Sequence, residues 1–72
     1  MHRFLVVLEQ GEGNYSAYSP DLPGCVATGQ TLEEAEQQMI EAIQLHIQGL
    51  LQDGLPIPTA HAHSEFVAIS VP

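Results

Sequence analysis

Basic side chains are nearly absent. The 72 residues contain one Arg, Arg3, and no Lys, against nine Asp and Glu, for a net charge of −8. Nothing in such a chain could replace the counterions condensed on a phosphate backbone, which argues against direct nucleic-acid binding. The same balance opposes an anionic membrane surface and leaves a basic protein partner open. Cys25 is the lone cysteine, so an internal disulfide framework is excluded and a reducing compartment is the default. No stretch approaches the roughly 20 apolar residues of a membrane span. The N-terminal run Phe4-Leu5-Val6-Val7-Leu8 stops at Glu9, short of the roughly 7–15 residues of a secretory signal core. The expected location is the cytoplasm.

What the chain does have is apolar content, 44% of residues, with only 14% charged. That is too much for a disordered chain and fits one compact domain over residues 1–72. A domain this small buries only about 60% of the surface its unfolded chain exposes, so it is marginal alone.

Phe4 to Leu8 is continuously apolar and rich in branched residues, which predicts a strand covered on both faces and placed centrally in its sheet. Gly11-Glu12-Gly13-Asn14 is a turn, and Tyr15 to Ser19 returns as a hairpin strand. Pro20-Asp21-Leu22-Pro23-Gly24 breaks it, because proline cannot donate to a ladder. Cys25 to Thr28 is a short third strand. Thr31-Leu32-Glu33-Glu34 then supplies a Thr N-cap with a Glu three residues on, the capping-box pattern, and early acids that suit the positive end of the helix dipole. The helix is predicted from Leu32 to about Asp53, with Gly54 past its end and Pro56 preventing continuation. Leu32, Ala35, Met39, Ile40, Ala42, Ile43, Ile47, Leu50 and Leu51 share one broad face. Leu45 falls on the polar face, either as a harmless exposed residue or as a contact to a second subunit or partner. Leu55 to Ser64 reads as a linker, and Glu65 to Val71 as a fourth strand.

The predicted fold is therefore α+β, in the order β-β-β-α-β. The hairpin places the second strand on one side of the first, and a right-handed helix crossover brings the fourth to the other side, for a four-stranded sheet ordered 3-2-1-4. One helix covers one sheet face. The other face keeps apolar residues of the first strand, which predicts self-association as a dimer or higher, or a partner.

Tyr15-Ser16-Ala17-Tyr18-Ser19-Pro20-Asp21-Leu22-Pro23-Gly24-Cys25, followed by Gly29-Gln30-Thr31-Leu32-Glu33-Glu34-Ala35, resembles the HicB family of bacterial HicA–HicB toxin–antitoxin modules. The resemblance covers residues 3 to 52 and is carried by the combined pattern; Pro-Asp-Leu-Pro-Gly alone would say little. It implies a truncated ribonuclease-H-like sheet with one helix. It also implies binding and neutralisation of a HicA-type toxin, a small basic ribonuclease of double-stranded-RNA-binding type that uses a His. Fuller members carry a C-terminal DNA-binding domain, which has no counterpart here, so the expectation is a short stand-alone member without operator binding. The competing expectation is a stand-alone homo-oligomeric protein with a structural or regulatory role and no toxin partner. Candidate partner contacts are Glu33, Glu34, Glu41 and Leu45 on the helix exterior, and Asp21. Asp21 also has a purely local reading, bonding a backbone N–H two residues on to hold the turn.

Enzymatic readings fare worse. Two-metal nuclease chemistry needs several convergent carboxylates, and the expected strands offer only Glu9 and Glu65 near their ends. His61-Ala62-His63 places two imidazoles on one side of an extended segment, but two ligands rarely close a zinc site. Cys25 has no neighbouring His or acid in sequence to activate it and reads as a small apolar filler. No cofactor is expected, and the chain reads as a binding module rather than an enzyme.

Overall fold

The computed structural model describes residues 2–72. Three short strands precede one long helix: β1 (Val7–Gln10), β2 (Tyr15–Tyr18), β3 (Val26–Gly29) and α1 (Leu32–Gln52). The sheet is antiparallel throughout and ordered β1-β2-β3. Val7 faces Tyr18 across the first ladder, and Tyr18 faces Val26 across the second.

The strands are short for reasons written in the turns between them. The Gly11 N–H donates to the Asn14 carbonyl at 2.8 Å and closes the hairpin between β1 and β2. Continuing the β1–β2 register toward the N-terminus would set Leu5 opposite Pro20, which has no N–H to offer. Pairing therefore begins at Val7, and Phe4 to Val6 lie outside the strand. Beyond Pro20 the chain makes two consecutive turns, Leu22 N–H to the Ser19 carbonyl and Cys25 N–H to the Leu22 carbonyl, both 3.1 Å. In the second, Pro23 and Gly24 hold the central positions and Gly24 has φ +81°, the type II arrangement that an L side chain resists. The double turn drives Leu22 inward, where it is completely buried.

The helix begins and ends on the predicted signals. The Thr31 hydroxyl accepts from Glu34 N–H at 3.0 Å, and Glu34 reaches back to Gln30 N–H at 3.4 Å. At the far end Gly54 N–H donates to the Leu51 carbonyl and Leu55 N–H to the Leu50 carbonyl, the paired bonds of a Schellman closure. The helix lies over β3 and β2 and meets β1 least. Its Ala35 and Met39 are fully buried and, with Ala17, Leu22 and Cys25, form the core. Phe4, Val6 and Leu8 pack against that core half-buried.

The junction between β3 and α1 is the tightest point. A Cβ on Gly29 would lie 2.8 Å from Ala35 Cα and from the Glu34 carbonyl carbon, and would collide with the Ala35 nitrogen. These are backbone atoms that cannot swing aside, so Gly29 lets the first helical turn sit directly on the sheet.

Among the described residues the sheet has three strands rather than the expected four. β1 is an edge strand rather than a central one, and Glu65 to Val71 belongs to no strand. That segment is exposed throughout, with Phe66 as accessible as in an unfolded chain (108%).

Gly29→Ala is expected to lower stability by about 1–3 kcal/mol, the usual cost of forcing an extra carbon into a packed site. Urea denaturation followed by helical circular dichroism measures it. A midpoint unchanged from the parent protein would show that the junction yields freely.

Candidate partner interface

The outer edge of β3 and one flank of α1 form an open groove. Val26, Ala27 and Thr28 line it from the strand, and Gln38, Glu41, Ala42 and Leu45 from the helix. At 100° per residue Glu34, Gln38, Glu41 and Leu45 fall on one stripe, so the groove runs beneath a row of polar and acidic positions that ends in a leucine. Val26 is 66% exposed and Leu45 69%. The helix carries four Glu and neither Lys nor Arg. β3 has one neighbour, leaving a backbone edge unpaired beside the groove. An apolar strip rimmed by anionic groups, next to an open strand edge, is suited to bind a basic polypeptide.

Of the five sequence candidates, Glu41 and Leu45 come together here. Glu34 lies on the same stripe near the helix start, where its carboxylate is engaged with Gln30 N–H. Glu33 is exposed on the neighbouring face of the first turn. Asp21 stands apart. Its Oδ2 accepts the Ala62 N–H at 3.1 Å, 41 positions along the chain. The turn it was expected to hold is made by backbone groups instead, and Asp21 ties the segment after the helix to the Pro-Asp-Leu-Pro-Gly loop. Sequence reasoning missed Val26 and Thr28, which alternate with Cys25, Ala27 and Gly29 and, like their partners Tyr18 and Ser16 on β2, fall on the sheet face that the helix does not cover.

The other chemistry-bearing residues sit alone. Glu9 is exposed on β1, and His61 and His63 are exposed after the helix. Among the described residues no three His, Cys, Asp or Glu side chains gather as metal ligands. Burial pushes the Cys25 thiol above its ordinary value, toward the unreactive neutral form. No helix among the described residues is long and apolar enough to cross a membrane.

Residues 4–69 match the family described as the HicB-like antitoxin of bacterial toxin–antitoxin systems. The chain belongs to that family. A UPF0150 protein of Synechocystis is 41% identical over 59 residues, covering 81% of this chain and 75% of that protein. An uncharacterised 14.9 kDa protein of Haemophilus phage HP1 is 34% identical over 62 residues; these make up 86% of this chain but only 47% of the phage protein. A Helicobacter pylori UPF0150 protein is 43% identical over 49 residues, 68% of each chain. The HicB-like fold is seen in the solved structure of a HicA3 and HicB3 toxin–antitoxin complex, one chain of which superposes with a TM-score of 0.65 at 24% identity, over 82% of this chain and 72% of that one.

Two measurements probe the local assignments. Asp21→Ala should speed hydrogen exchange at the Ala62 amide and cost about 1 kcal/mol, the net worth of one such bond; an unchanged Ala62 exchange rate would remove the tether. Cys25 in the folded HicB-like chain should be alkylated by iodoacetamide far more slowly at pH 8 than in urea. Because its folded value is raised, the stabilisation from keeping the thiol neutral is complete at neutral pH and fades as the pH climbs past the ordinary thiol value. Equal labelling rates in both states would contradict that burial.

Proposed function

We propose that this HicB-like chain is a binding module that neutralises a HicA-type toxin by covering the toxin's basic RNA-binding and catalytic face. The observation that carries this reading is the β3–α1 groove, where exposed Val26 and Leu45 lie beside Glu41 on a protein of net charge −8. Membership of the HicB-like antitoxin family and the HicB-like fold shared with a chain of a toxin–antitoxin complex support it. The groove would add an apolar centre that sets the off-rate, while the acidic rim speeds encounter with a cationic partner. No catalytic step is assigned to the chain itself, and its setting is the cytoplasm, where a ribonuclease toxin would act. Its fold is read as the core of a ribonuclease-H-like sheet whose fourth position awaits a strand. A stand-alone homo-oligomer with a regulatory role is the alternative, favoured by the exposed apolar segment Phe66 to Val71.

Co-expression with a HicA-type toxin, the one encoded beside its gene where such a small basic reading frame is present, tests the proposal. The parent chain should relieve growth arrest and co-purify with the toxin. Leu45→Glu should raise the dissociation constant at least about tenfold, as loss of a buried anchor does. Glu41→Lys should slow association and flatten its salt dependence. Relief of arrest untouched by either substitution would place the interface elsewhere; no complex and no relief would leave the homo-oligomer alternative standing.

A further inference from the structure

The same chain carries a strand without an edge and an edge without a strand. Glu65-Phe66-Val67-Ala68-Ile69-Ser70-Val71 is built of β-branched, aromatic and small residues with one charge, at its start. In a strand Val67, Ile69 and Val71 would share one face and Phe66, Ala68 and Ser70 the other. Yet Val67, Ile69 and Val71 are all mostly exposed, and the segment pairs with nothing. On the other side, the outer edge of β1 has no neighbour.

The corner around that edge is unfinished. Since the helix lies mainly over β3 and β2, Phe4, Val6 and Leu8 remain only half-buried. Ile40, Ile47 and Leu51 share the helix flank turned away from the β3 groove, and Ile40 and Leu51 are exposed. The end segment is held where it could reach such an edge. Ala60, Ala62, His63 and Ser64 run beside Arg3 to Val6, and Ala62 is tied down by Asp21. From that anchor it departs from its own sheet, after a connection containing Pro56 and Pro58 that stiffens the path away from the helix.

We infer that Glu65–Val71 of one copy adds to the free edge of β1 in a second copy, and that the exchange is reciprocal. Each sheet then becomes four-stranded in the order 3-2-1-4′, with the fourth strand supplied by the other chain. Val67, Ile69 and Val71 enter the corner left open beside Phe4, Val6 and Leu8. Phe66 joins Leu5 and Val7 on the opposite face. The arrangement satisfies two open edges at once and closes on itself as a two-fold dimer. No charge is buried, because Phe66 to Val71 has none. Each copy carries −8, so salt should tighten the dimer by screening repulsion between them. The exchange is independent of whether the β3–α1 groove, on the far edge of the sheet, binds a toxin.

Sedimentation of the full chain at micromolar concentration should give about twice 7.8 kDa, with a dissociation constant that falls as NaCl rises. The double substitution Val67→Asp with Ile69→Asp, placed in an exposed segment, should weaken dimerisation by about a hundredfold or more and keep the helical circular dichroism. In a mixture of isotopically labelled and unlabelled chains, filtered NOEs should connect Val67 and Ile69 methyls of one copy to Val6 and Leu8 of the other. A monomer overturns the inference, whether its tail is free or folded onto its own β1. So does a dimer whose Phe66–Val71 amides exchange freely, because it would then assemble by another surface.

Discussion

The fold hangs on how closely one helix can approach a three-stranded sheet. Gly29 removes the atom that would separate the end of β3 from the first turn of α1, and the capped start at Thr31 sets the helix direction at that point. Only with the helix that low do Met39 and Leu22 become completely buried. They are the two largest side chains so enclosed, and the remaining core is Ala17, Cys25 and Ala35. Such a core stabilises a domain weakly, which is the general condition of chains this short. Every other apolar contact, from Phe4 on the N-terminal side to Ile47 on the helix, is partial.

The two edges of the sheet have different surroundings. Along β3 the flank of the helix is acidic and ends in Leu45, and the strand itself shows Val26 and Thr28. Along β1 the surroundings are aliphatic, with Leu5, Val6 and Val7 only half covered. A cationic polypeptide is attracted to the first and gains nothing from charge at the second. Under the two proposals above, this asymmetry gives one small domain an electrostatic surface for a different protein and an apolar edge for another copy of itself, on opposite edges of the sheet.

The Pro-Asp-Leu-Pro-Gly segment links these features. Its prolines end the β1–β2 ladder and open the second turn, its Leu22 fills the centre of the core, and its Asp21 fastens the chain that follows the helix. Asp commonly bonds a backbone N–H two residues on, which suggests Asp21 as a turn-former. Here that residue is Pro23, which has no N–H to donate, and backbone carbonyls already take the N–H groups of Leu22 and Cys25, so the carboxylate is left for a donor 41 residues away.

Much was legible from the chain alone, since it depends on neighbours a few positions apart. The helix limits, its Thr31 cap, the Gly54 closure, the hairpin and the positive φ at Gly24 are local matters of backbone freedom and hydrogen bonding. The acid excess and the HicB-like pattern are likewise properties of the string. Tertiary structure decided what requires a count of distant neighbours: that β1 is an edge, that Glu41 and Leu45 meet β3 while Asp21 turns to Ala62, and that Glu65–Val71 leaves the sheet. Alternation and composition mark that last segment as a strand, but strand pairing is a contest between edges, and a sequence names no winner when the edge that suits it can belong to another molecule.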